Sequence, residues 1–180
     1  MNRKGSEMMP KLKTKNFYYG AVIETIMSYN EDASPSLVEM GEDKQVYKIW
    51  TNSSKRECYI YVKYRTSSKD NKKENYYSWQ FILTGDDKQR IENYIANDNP
   101  VLLVWLCGMK ELKGSEIIVI KESEYEKYIK DKSSISISLK ANERNFRMHV
   151  GGSRENAIQI PRNRIEKNFD YFITEKEVIL

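Results

Sequence analysis

The run Val-Leu-Leu-Val-Trp-Leu-Cys at residues 101–107, opened by Pro100, is the feature that most limits how this chain can fold. Seven consecutive apolar residues leave no hydrophilic side for either a strand or a helix. The short length, the β-branched and aromatic content and the leading proline favour a strand. A strand that is apolar on both faces has to be covered on both, so the chain must build layers above and below a sheet. At 180 residues it is long enough to do so, burying about two thirds of its unfolded surface without disulfides or metals. The two cysteines, Cys58 and Cys107, fall in apolar strand segments with no Cys-x-x-Cys or Cys/His spacing, and they read as buried, reduced thiols.

The other elements can be placed around that strand. Residues 1–15 are lysine-rich, contain Gly5 and Pro10, show no periodicity and read as a flexible basic leader before one globular unit spanning 16–180. FYYGAVIETIMSY at 17–29 reads as a helix capped at Asn16, apolar around most of its circumference and carrying one charge, Glu24. Residues 45–51 and 57–66 read as a β-hairpin, and 76–84 as a half-buried strand with Trp79, Phe81 and Leu83 on one face. TGDDKQRIENYIAN reads as an amphipathic helix capped near Asp86. After 101–107 come the strand EIIVI, a short helix at 123–129, the strictly alternating SISISL, short strands at FRMHV and AIQI, and a closing helix at 165–172. The fold class is α/β or α+β, with a mixed central sheet flanked by helices.

In the strand 57–65, the period of two sets Cys58, Ile60, Val62 and Tyr64 against Glu57, Tyr59, Tyr61, Lys63 and Arg65, so Lys63 lies on the more polar face. A lysine there is ordinarily a solvated side chain. Taken together, the segments 16–120 run as a buried helix with one glutamate, a hairpin ending in Val-Lys before a polar loop, a strand, a helix, and Pro-Val-Leu-Leu-Val-Trp. This order resembles the core of the PD-(D/E)xK, restriction-endonuclease-like nucleases, and in particular is similar to bacterial families with a hydrophobic-x-Val-Lys strand. Residues 121–180 would then be a C-terminal extension of extra strands.

The resemblance implies a metal-dependent endonuclease site. In such proteins an acid on the preceding strand and an acid or glutamine two residues before the lysine hold Mg²⁺, which polarises phosphate and activates water. Lys63 matches the lysine and Glu24 the helix glutamate, the two catalytic candidates, and the metal candidates are Asp43 and Glu24. The match is incomplete: Tyr61 stands where the second acid would fall, and Asp43 lies just ahead of the strand that should carry the first. Glu57 shares the face of Lys63 but lies roughly 20 Å away along an extended strand, too far to share an ion with it.

Charge distribution supplies a second signal. The net charge of +4 is too small to imply nucleic-acid binding by itself. Five of the nine arginines, however (Arg144, Arg147, Arg154, Arg162 and Arg164), fall within 21 residues that contain no lysine and one acid, Glu155. With Phe146 and His149 interleaved, they form with Arg65 a candidate DNA- or RNA-binding set. The bland counterpart is arginines on solvated strand faces paired with Glu143, Glu155 and Glu166. His149 is the only histidine and has no serine or cysteine elbow beside it, and no glycine-rich nucleotide motif occurs.

Two functions stay open on the residues: a nucleic-acid-associated protein with a nuclease-like core, cleavage undecided, and a non-catalytic accessory or inhibitor module using exposed tyrosines and tryptophans against a protein partner or a second copy. No run reaches the roughly 18 apolar residues of a membrane span, and a cytoplasmic protein is the default expectation.

Overall fold

A computed structural model of the chain describes residues 11–41, 43–52, 55–66, 69–71, 76–109, 112–151, 156–167 and 169–174. The leader up to residue 10 and Arg154 lie outside them. The described chain is α+β. Helix α1 (Thr14–Tyr29) is followed by strands β1 (Ala33–Met40), β2 (Lys44–Thr51), β3 (Glu57–Thr66), β4 (Lys69–Asn71) and β5 (Tyr76–Ile82). Next come α2 (Gly85–Ala96), β6 (Val101–Gly108), β7 (Glu116–Lys121) and a short α3 (Glu122–Glu124), which widens into a π-turn at Tyr125–Ile129. Strands β8 (Ser134–Lys140), β9 (Asn145–His149) and β10 (Ile158–Pro161), a 3₁₀ turn at Arg162–Glu166 and α4 (Phe169–Thr174) complete it.

The strands form two five-stranded sheets rather than one. The first runs β1-β2-β3-β6-β7 and is mixed, because β3 pairs parallel with β6 while its other neighbours are antiparallel. The second runs β10-β9-β8-β5-β4 and is antiparallel throughout. Strand β5, from within the nuclease-like segment, pairs with β8 from the C-terminal one, so the second sheet draws on both.

The apolar run behaves as its composition requires. All eight residues of β6 are buried: Leu102, Val104 and Leu106 enter one core, and Leu103, Trp105 and Cys107 enter another. The first core lies under α1 and α4, where Tyr18, Val22, Ile26 and Phe169 pack on Ile60 and Val62. The second is the space between the sheets, filled from the other side by Trp79, Phe81, Ile135, Ile137, Phe146 and Met148 and closed by Ile91 of α2. Each large apolar side chain buried here contributes roughly 1.5–3 kcal/mol. Gly108, at the end of β6, allows close approach: a Cβ there would lie 3.0 Å from the ring of Tyr18, whose hydroxyl donates to the Met109 carbonyl at 3.0 Å.

Helix α1 is one-sided rather than apolar all round. Tyr18, Tyr19, Val22 and Ile26 form its buried stripe, while Phe17 and Tyr29 are about half exposed. It also starts earlier than Asn16. That residue sits in the first turn and accepts from the Lys13 backbone amide at 2.9 Å, so its side chain still closes the N-terminus, from inside the helix.

Candidate functional site

Lys63 is buried, with 1% of its side chain exposed. The face of β3 that carries it is covered by α2 and the second sheet, so Tyr61 beside it is buried as well. A buried ammonium is tolerable only with compensating partners. Lys63 donates to Asp87 Oδ2 at 2.8 Å and to the Ile82 carbonyl at 2.9 Å, and Asp43 Oδ2 lies 3.3 Å away.

Asp87 is the centre of this group and comes from α2. The segment Thr84-Gly-Asp-Asp87 forms a capping box: the Asp87 amide donates to Thr84 Oγ1 at 3.1 Å, and the Thr84 amide donates to Asp87 Oδ2 at 2.8 Å. Its other oxygen accepts from the Tyr61 hydroxyl at 2.5 Å and from Lys44 Nζ at 3.0 Å. Lys44 also reaches Asp86 at 2.7 Å, and Arg65 faces Asp43 at 3.7 Å. Burial works to raise the Asp87 carboxyl, but the hydrogen bonds from Lys63, Tyr61, Thr84 and Lys44 override it and hold the group well below the usual carboxylate range. Burial together with the neighbouring Asp87 carboxylate pushes the Tyr61 phenol far above its usual range.

A measurable pH dependence follows. In the unfolded chain Asp87 titrates near the ordinary value of about 3.9, whereas in the folded chain its carboxylate is favoured. Its contribution to stability is therefore fully present above that value and is lost as pH falls toward the depressed folded one. Denaturation midpoints of the wild type are expected to drop steeply as pH is lowered below about 4, and those of Asp87→Asn less so. Parallel profiles for the two proteins would contradict this assignment.

Of the residues matched to the nuclease pattern, Lys63 and Asp43 come together and Glu24 does not. Glu24 projects from the exposed side of α1, accepts from Ser28 Oγ at 3.0 Å, and belongs to the helix packed on the opposite face of the sheet from Lys63. Nor does the cluster suit Mg²⁺ as arranged. Both oxygens of Asp87 are taken by donors, and the two nearest cations are the chain's own ammonium groups. A divalent ion would have to displace Lys44 or Lys63. Among the described residues no group of three or more His, Cys, Asp or Glu side chains is placed to hold a metal.

The arginine segment divides. Arg162 donates through Nε (3.2 Å) and Nη2 to Glu116 and through Nη1 to the Glu143 carbonyl at 2.8 Å. Arg164 is bidentate on Glu124 at 2.6 and 2.9 Å and also reaches the Val119 carbonyl. Arg147 pairs with Glu143. These three tie the C-terminal segment to β7, α3 and the β8–β9 turn. Arg144, in that turn, is exposed and has no ion pair among the described residues.

Two features were not anticipated from the sequence. Among the described residues no helix packs on the other face of the second sheet, which carries Ser138, buried, and Ser134, Ser136, Asn145, Arg147 and His149, all half-buried. Strands β5, β8, β9 and β10 contain no aspartate or glutamate, although the chain has 26 such residues; the short edge strand β4 contributes the sheet's one acid, Asp70. On the same face Ser138 Oγ lies 2.7 Å from His149 Nε2. Ser138 is only 1% exposed, so the pair is closed to a substrate and is a structural contact of the sheet. Of the three tryptophans, Trp79 and Trp105 are in the core, which leaves Trp50 as the exposed one.

Compared with known proteins, the chain matches no family model, no curated protein and no solved structure. No helix among the described residues is long and apolar enough to cross a membrane.

Proposed function

We propose that this chain binds nucleic acid without cutting it, through the face of the second sheet on which no described helix packs, on a core whose Lys63 centre is a structural remnant of a PD-(D/E)xK-like site. The observation that carries the reading is the scarcity of acids on this sheet: β5, β8, β9 and β10 contain none, and Glu143 beside the face is paired with Arg147. The face carries the half-buried hydroxyls of Ser134 and Ser136 and the amide of Asn145, with Lys140 and Arg144 at one end and Lys132 at the other. These three cations are exposed and make no ion pair among the described residues. A polar sheet face with hydroxyl and amide donors and unpaired cations at its ends suits a phosphate backbone.

The nuclease-like core is supported by the order helix, three antiparallel strands, helix, then a buried strand parallel to the Val-Lys strand. That it holds rather than cleaves rests on the saturation of Asp87 by Lys44, Lys63, Tyr61 and Thr84.

Salt dependence tests the reading. With about three phosphates neutralised, log K against log salt is expected to fall with a slope near −2 for a single strand and somewhat steeper for a duplex. Lys132→Glu combined with Lys140→Glu should weaken binding at least tenfold, and no cleavage should accompany it in Mg²⁺ or Mn²⁺. Metal-dependent cutting abolished by Lys63→Ala would overturn the non-cleaving part, and absence of any nucleic-acid retardation at low salt would overturn the whole.

A protein-binding reading draws on a different place. Edge strand β1 exposes Leu37, Val38 and Met40 toward one end, and the exposed Trp50 pairs opposite Ser34 toward the other, although Pro35 and a bulge between Leu37 and Glu39 interrupt that edge for strand pairing. Binding there would be nearly insensitive to salt.

A further inference from the structure

The Arg162–Glu116 pair does more than fasten the C-terminal segment, because it forms the sill between two adjoining clefts. The larger, of about 840 Å³, lies between the β8–β9 turn, the start of β7 and the 3₁₀ turn. The smaller, of about 240 Å³, lies beside Tyr77, Met109 and Leu139, with Lys113 at its side. Glu116, Ala141 and Arg162 line both. The larger cleft alone is within the range of small-molecule sites, roughly 300–1,000 Å³, and the smaller one extends it.

Besides Glu166, an exposed carboxylate at its rim, and Thr25 and Ser115, which bond backbone groups, the polar side chains of the larger cleft fall into two sets. Arg162, Glu116 and Glu143 are committed to partners within the fold. Asn142, Asn145, Asn163 and Arg144 are not: none of their side chains makes a hydrogen bond or ion pair among the described residues. Three free amides each offer two donors and an acceptor, the set that reads the edge of a heteroaromatic base or the hydroxyls of a sugar. An unpaired guanidinium beside them is suited to bidentate phosphate recognition. The smaller cleft supplies what this polar set lacks, a half-buried tyrosine ring with aliphatic neighbours, where a flat base can lie.

We infer that the paired clefts form a binding site for a nucleoside phosphate, with Arg144 on the phosphate, the three asparagines on sugar and base edges, and Tyr77 against the base. The ligand is either a free nucleotide or the phosphorylated terminus of a strand lying on the second sheet. Only the second source rests on the function proposed above; occupation of the clefts does not.

The test is titration of the full chain with the four nucleoside 5′-monophosphates, with inorganic phosphate, and with an oligonucleotide carrying either a 5′-phosphate or a 5′-hydroxyl, followed calorimetrically. At least one monophosphate is expected to bind at sub-millimolar concentration, and inorganic phosphate at least tenfold more weakly. Arg144→Glu should abolish mononucleotide binding, and Asn142→Ala with Asn163→Ala should weaken it at least fivefold. All three positions lack internal partners, so the variants should keep the wild-type melting temperature, which is measured alongside. A preference for the 5′-phosphorylated oligonucleotide over the hydroxyl form that Arg144→Glu removes would assign the site to strand ends. Equal affinity for the two forms, with mononucleotides still bound, would assign it to free nucleotides. No monophosphate binding at millimolar concentration, binding that Arg144→Glu leaves unchanged, or inorganic phosphate binding as tightly as nucleotides would overturn the inference. Charge reversal at Lys132 and Lys140 separates the two proposals, since it should weaken binding of long strands at least tenfold and leave mononucleotide binding intact.

Discussion

Replacing Asp87 with alanine is expected to destabilise the chain by about 3–5 kcal/mol, the usual consequence of stranding a buried charge whose partner has been removed. The carboxylate accepts from Lys63, Lys44, Tyr61 and the Thr84 amide, so its loss affects four donors at once. Lys44 keeps Asp86 and lies near solvent, but Lys63 is 1% exposed and would be left with the Ile82 carbonyl and the more distant Asp43. The reverse substitution is expected to be milder. Lys63→Met leaves Asp87 with three donors, and methionine fills the same volume. Combining Lys63→Met with Asp87→Leu should recover much of the stability lost in Asp87→Ala, because an apolar pair avoids the desolvation cost of both ions. Urea denaturation followed by far-UV circular dichroism measures all four proteins. If Asp87→Ala costs less than about 1 kcal/mol, Lys63 has access to water and the buried-centre description fails.

Much of this architecture could be read from the residues, and the errors have physical causes. The all-apolar 101–107 run and the alternating SISISL have one interpretation each, and β6 and β8 follow it. The face of Lys63 was harder. Two tyrosines, a lysine and flanking charges alternate like a solvated face, and nothing local in β3 states that a helix and a second sheet cover it. Pairing across sheets is a long-range property: β5 meets β8 more than 50 residues away, and the compatibility of their patterns does not reveal that they pair. Asp87 had a readable signal, since Thr84-Gly-Asp-Asp87 is a capping-box pattern that places a carboxylate at the first turn of a helix. That the same carboxylate also faces Lys63 depends on where α2 docks. The arginine cluster was visible as a cluster, but the acids that neutralise two of its five members, Glu116 and Glu124, lie far outside the segment.

Trp105→Ala should cost about 3–5 kcal/mol, comparable to the Asp87 substitution but by a purely apolar route. Trp105 is fully buried between the sheets and stacks on Phe81, with ring centroids 4.6 Å apart and planes inclined by 23°. Removing the indole leaves a cavity bounded by the rigid strands of both sheets, which have little room to collapse into it. Trp105→Phe separates packing from polarity. The indole Nε1 is buried with no hydrogen-bond partner among the described residues, a condition that costs roughly 1–3 kcal/mol for a donor withdrawn from water. Phenylalanine keeps the stack on Phe81, removes that donor and leaves a smaller void, so the two changes oppose one another. The Phe variant is therefore expected to lie within about 1 kcal/mol of wild type. Thermal unfolding read by far-UV circular dichroism avoids the loss of the fluorescent probe. A Phe variant as damaged as the alanine one would mean that the indole nitrogen is bonded, through water or a segment beyond the described residues, and that this bond helps to hold the two sheets together.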